Sequence, residues 1–254
     1  LLRLPDFDGA EKTLTNGMGL LTQAYGASGP PKRYAAAQLT EVDGGRRFLL
    51  RRFSSESGDW EELVLPSPMP PHRRMYMIHE VLDFGGRLWW VDVSWGAVCV
   101  DPFSDRPELS FVQLPRGSVL PEGAQDQARS LGVNTPFKYR RMGVSQGRLR
   151  YVEVSREEPF LLSSFVLDDE GSGWTLEHQV ALRQVLADGG YPWQENSTQA
   201  APQIAVLDPL NANAIYLKVG EHLVVVDMRD GKVIGASPLQ EQYFSLVSCV
   251  LPQW

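Results

Sequence analysis

The sequence predicts an all-β protein, a β-propeller-like array of four-stranded antiparallel blades. Three observations carry this. Short apolar runs alternate with turns rich in Gly, Asp, Ser and Pro along most of the chain. The most regular run, Arg87 to Val93, is apolar on both faces: period two sends Leu88 and Trp90 one way and Trp89, Val91 and Val93 the other. A strand covered on both sides needs helices or further sheets, and the gaps between runs are too short for crossover helices. Last, Gly86–Val93 (GRLWWVDV) is matched by Gly147–Val154 (GRLRYVEV), so the unit repeats. Meanders stacked radially satisfy all three, four strands to a blade; a β-sandwich is the alternative.

The elements follow in order. Residues 1–33 mix an apolar start with Gly-rich and GASGPP stretches and read as an N-terminal segment, the remnant of an upstream blade. Residues 34–254 form the propeller-like domain, in units at about 34–66, 75–115, 139–182 and 202–251. The first unit shows three strands, Tyr34–Leu39, Arg46–Phe53 and Trp60–Leu65, divided by Asp43-Gly44-Gly45 and the Ser54–Asp59 turn cluster. The second holds Met77–Leu82, Arg87–Val93, Ala97–Val100 and Leu109–Leu114. Pro121 to Leu131 is a helix candidate stopped by Gly132.

The third unit runs through Tyr139–Ser145, Arg148–Val154, Phe160–Leu167 and Trp174–Leu182, with a brief helix expected across Val180–Ala187. The fourth has Gln203–Leu207, Asn213–Val219, Glu221–Asp227 and Lys232–Ala236, closed by the Arg229-Asp230-Gly231 turn. Tyr243–Leu251 is a strand left over, able to complete the first unit. The expectation is instead an open array lacking N-terminal blades. Recurrence at ~40–60 residues suits propeller blades with insertions.

Composition narrows function by exclusion. At 254 residues with 43% apolar and 22% charged residues, the chain can bury a substantial core. A net charge of −7 disfavours nucleic acid and anionic membrane as partners. The Arg46-Arg47, Arg51-Arg52, Arg73-Arg74 and Arg140-Arg141 doublets put neighbours on opposite strand faces, so none makes a one-sided basic stripe. Cys99 and Cys249 lie in apolar runs without metal-binding spacing and read as buried free thiols of a reducing compartment. No run approaches the ~20 apolar residues of a membrane span.

Catalytic motifs are lacking. His72, His79, His178 and His222 have no metal-ligand spacing, and His79-Glu80 fails as HExxH because Asp83 holds the final position. There is no GxSxG elbow and no phosphate loop, so neither a cofactor nor a metal is expected. Most acidic residues end strands, where carboxylates accept from turn amides. Asp92 and Glu153 differ: they occupy equivalent mid-pattern positions beside Trp90 and Tyr151. Either they line a propeller axis or they anchor neighbouring backbone, and anchoring is the favoured reading. Tyr191 and Trp193, in the loop 189–196, are a candidate partner-binding pair.

The series LWWVDVSWGAVCVDPFSDRPELSFVQLP at Leu88–Pro115 resembles one known family, joined by RYAAAQL, SSESGDW, PQIAVLDP and HLVVVDMRDGKV. It is the grass-expanded plant domain of unknown function 1618 (DUF1618), similar to the F-box-associated and kelch-like β-propellers. The resemblance covers about Leu4 to Trp254. It implies an intracellular plant protein, in cytoplasm or nucleus, and carries no known active site. With the missing motifs it points to a non-catalytic module that binds a protein partner. The alternative is a propeller that binds or hydrolyses a small ligand with axial carboxylates.

Overall fold

A computed structural model describes residues 17–23, 31–70, 73–75, 80–121, 138–191 and 201–239. The described residues are mostly β: they form four four-stranded antiparallel sheets, each a simple meander of consecutive strands. The chain divides into two compact units, 1–113 and 114–254, each holding two of the sheets.

In the first unit one sheet comprises β1 (Met18–Gln23), β2 (Arg33–Val42), β3 (Arg47–Ser54) and β4 (Trp60–Pro66). The second comprises β5 (Glu80–Phe84), β6 (Arg87–Asp92), β7 (Gly96–Val100) and β8 (Ser110–Gln113). The expected three-stranded first unit is corrected here. Met18–Gln23, inside the segment read as N-terminal, pairs antiparallel with Arg33–Gln38 and supplies a fourth strand. Gly19 hides it, since glycine in a short run reads as a break. That glycine has a packing reason: a Cβ there would come within 2.7 Å of Val81 and 2.9 Å of Leu88. The face of the first sheet carrying Ala35, Ala37, Leu39 and Leu50 is sealed, and β6 and β7 are buried on both faces, as the sequence requires.

In the second unit the third sheet comprises β9 (Arg140–Ser145), β10 (Arg148–Val154), β11 (Leu161–Leu167) and β12 (Trp174–Ala181). Helix α1 (Leu182–Asp188) follows directly, as the sequence suggests. The fourth sheet comprises β13 (Gln203–Leu207), β14 (Ala214–Val219), β15 (His222–Asp227) and β16 (Lys232–Pro238). Val152, Val154 and Leu162 of the third sheet, Ile215, Leu217, Val224 and Val226 of the fourth, and Leu182 and Leu186 of α1 make one core. In each unit the first strands of the two sheets lie beside one another, β1 by β5 and β9 by β13. Adjacent propeller blades fan from their inner strands in this way.

The repeated motif keeps its place. Both copies follow a two-residue turn with positive φ at both positions, Gly85-Gly86 and Gln146-Gly147, a hairpin geometry that suits strand twist. The Arg51-Arg52 doublet splits across its strand and pairs with Glu62 and Glu61 on β4. Cys99 is a buried free thiol. No helix among the described residues is long and apolar enough to cross a membrane. The candidate helix at 121–131, the candidate strand at 243–251, Cys249, His72, His79 and Trp193 lie outside the described residues, Pro121 excepted.

Candidate functional site: a carboxylate held across the third sheet

The third sheet carries a polar row on an otherwise apolar face. Cross-strand register places Arg140 of β9 opposite Glu153 of β10, Glu153 opposite Ser163 of β11, and Ser163 opposite Gln179 of β12. Directly opposed residues share a face, so the row crosses all four strands. Gln179 Nε2 donates to Ser163 Oγ at 3.0 Å. The next row on that face is Met142, Tyr151, Phe165 and Leu176. The Tyr151 ring centroid lies 6.1 Å from Phe165 and 6.2 Å, edge-on, from Trp174.

Glu153 is the centre. Its Oε1 accepts from Ser118 Oγ at 2.8 Å, its Oε2 accepts from the Tyr151 phenol at 2.9 Å, and the Arg140 guanidinium stands 3.8 Å away. Arg140 also donates to the Ser118 carbonyl. Tyr151 is fully buried and Ser118 nearly so. Burial pushes the Tyr151 phenol well above its ordinary range; Arg140 opposes this and Glu153 reinforces it. A carboxylate with a donor on each oxygen and a guanidinium beside it is electrostatically satisfied.

Asp92, its counterpart in the repeat, is buried in the first unit and does something else. Its Oδ1 accepts from the Ser94 amide at 2.9 Å and the Ser94 hydroxyl at 2.6 Å, fixing the β6–β7 turn. The difference follows from length: aspartate reaches its own turn, while glutamate is one methylene longer and reaches off its strand.

Tyr191, just past α1, is half-buried against the core of the second unit. Its amide donates to the Leu186 carbonyl at 2.7 Å, and its ring meets exposed His222 edge-on at 5.7 Å. Among the described residues no group of three or more His, Cys, Asp or Glu could hold a metal ion.

Sequence reasoning missed Ser118 and Arg140. Arg140 was legible in principle, because it and Glu153 are equidistant from the Gln146-Gly147 turn that sets the hairpin register. Ser118 sits in a connection with no periodicity, and nothing local marks it.

These features define an all-β protein of four-stranded antiparallel meanders, in which the Glu153 carboxylate serves its own framework. Residues 90–216, half of the chain, match the family described as "Protein of unknown function (DUF1618)", and the chain belongs to that family. No curated protein matches it. Among solved structures it is similar to apo AztD from Citrobacter koseri, at 15% identity and TM-score 0.32, covering 89% of this chain and 60% of that one. A second structure of Citrobacter koseri AztD gives 14% identity and TM-score 0.33, covering 85% and 59%. The chain thus spans about 60% of the length of those proteins, and at such TM-scores the likeness says nothing of function.

Proposed function

We propose that this protein is a non-catalytic interaction module that binds a protein partner inside a plant cell, in cytoplasm or nucleus. One observation carries the reading. The two repeat carboxylates that a hydrolytic propeller would place at its axis are both engaged by internal donors, Glu153 by Ser118 and Tyr151, Asp92 by Ser94. A general acid or base must reach a substrate proton directly or through one water, whereas Glu153 has a donor on each oxygen and Asp92 is buried and bonded to its own turn. The buried free thiol of Cys99 suits a reducing compartment. The net charge of −7 favours a protein partner over nucleic acid or an anionic membrane.

The partner surface we assign includes Tyr191, half-buried beside exposed His222; Trp193, two positions on in sequence, is the second residue of the proposed pair. Affinity purification of the tagged full-length protein from plant tissue, followed by binding of the purified partner to the purified protein, tests this. A saturable complex weakened at least tenfold by Tyr191→Ala is expected. Absence of any saturable partner, with turnover of glycoside or ester substrates abolished by Glu153→Gln, would establish the hydrolytic alternative.

A further inference from the structure

Glu153 and Asp92 occupy one position of a repeat yet hold different things, and the difference marks a movable part. Asp92 ties a turn within its own sheet. Glu153 holds Ser118, which belongs to no strand and lies in the segment leading into the third sheet. That segment is tied to the sheet at Ser118 from both sides of the residue, the hydroxyl giving to Glu153 and the carbonyl receiving from Arg140. Around Ser118 the segment has its own local turn, in which the Ser118 amide donates to the Pro115 carbonyl and Gly117 takes φ +95°. Arg116, Gly117 and Pro121 are exposed while Leu114, Pro115 and Ser118 are buried, and none of the segment is ladder-bonded, whereas β10 beneath is ladder-bonded on both edges. A segment outside the ladder opens at a lower free energy than the sheet it lies on.

We propose that Leu114–Pro121 is a strap latched onto the third sheet by Glu153, able to open as a unit while the sheet stays folded. The latch is a charge-assisted hydrogen bond whose reach depends on the glutamate length, with Arg140 as the second hold. The Arg140 and Glu153 side chains are 17% and 22% exposed with the strap in place, and opening exposes the pair further. Glu153 is thus a positioning residue. The inference goes beyond the partner-binding reading above and shares with it only the Glu153–Ser118 bond.

Hydrogen exchange of the full chain under native conditions, read by mass spectrometry, tests it. Glu153→Asp keeps the charge and withdraws the reach, and Ser118→Ala removes the donor from the other side. Both should speed exchange over 114–121 at least tenfold, with exchange over 148–154 and 161–167 unchanged. Glu153→Gln, which keeps an acceptor at full length, should fall between them and the parent. Unchanged exchange over 114–121 in both Glu153→Asp and Ser118→Ala would overturn the proposal. So would acceleration that appears only together with β10, because the segment would then be part of the sheet's own unfolding.

Discussion

The Tyr151 phenol donates to Glu153 Oε2 at 2.9 Å, so two residues on one face of β10 hold each other. Strand periodicity makes this possible, since side chains two apart stand side by side. A fully buried phenol is thereby given a partner, and a carboxylate at the edge of an apolar face is drawn down onto it.

This pairing predicts an alkaline weakness. Burial, the largest cause, raises the Tyr151 phenol well above its ordinary range, while the unfolded chain ionises near pH 10. A group whose folded value is raised contributes stability that is present below the unfolded value and lost as pH climbs through the folded one. The urea midpoint should therefore fall from about pH 10 upward. Tyr151→Phe should cost about 1–2 kcal/mol at neutral pH through the lost bond. The variant should also fall less steeply at high pH. Parallel pH curves for parent and variant would contradict the assignment.

Trp90 stands where Tyr151 stands in the repeat and is likewise fully buried. Its indole N–H reaches the Gly17 carbonyl at 2.8 Å, just ahead of β1. Trp90→Ala should cost about 3–5 kcal/mol by opening a large cavity. The denaturant midpoint measures it; a shift of the size of a surface substitution would refute the packing role.

The meanders were legible because their signals are local. Trp89, Trp90 and Val91 could be placed on two buried faces from period two alone, and Gly85-Gly86 named its own turn. The strand at Met18–Gln23 was not legible, because Gly19 is kept for close approach to Val81 and Leu88, and that neighbour is distant in sequence. The site divided the same way. Glu153 stood out by repetition, but its partner Ser118 is contributed by an aperiodic connection. The bulge in β12 has no signature either, and it decides which residues of that strand face the core.

Ser164 should tolerate loss of its hydroxyl. It is fully buried opposite Val152, and its Oγ finds no hydrogen-bond partner. An orphaned buried polar group costs about 1–3 kcal/mol of desolvation. Ser164→Ala should leave stability equal or raise it by up to about 1 kcal/mol. A midpoint lowered by more than that amount would mean the hydroxyl is bonded in solution.

The bulge gives the last prediction. Ser164 pairs with His178 and Phe165 with Leu176, which leaves Glu177 as the extra residue. An extra residue lets two successive side chains take the same face, so Glu177 turns toward the side that carries Arg150 instead of alternating away. The two form an ion pair in which the Arg150 side chain is only 5% exposed and Glu177 31%. Arg150 Nε also donates to the Ser145 carbonyl at 3.4 Å, which neutralises no charge. Removing the glutamate therefore strands a desolvated cation. Breaking a buried pair costs about 3–5 kcal/mol, and with one partner a third exposed the expectation for Glu177→Gln is about 2 kcal/mol. Replacing both by apolar side chains of similar size, Arg150→Met with Glu177→Leu, should recover most of that loss, because neither charge is then left unpaired. The double variant decides between two accounts. Recovery shows that the pair balances its own burial cost, whereas an additive double loss would show that the side chains matter through packing and the bulge is indifferent to their charge.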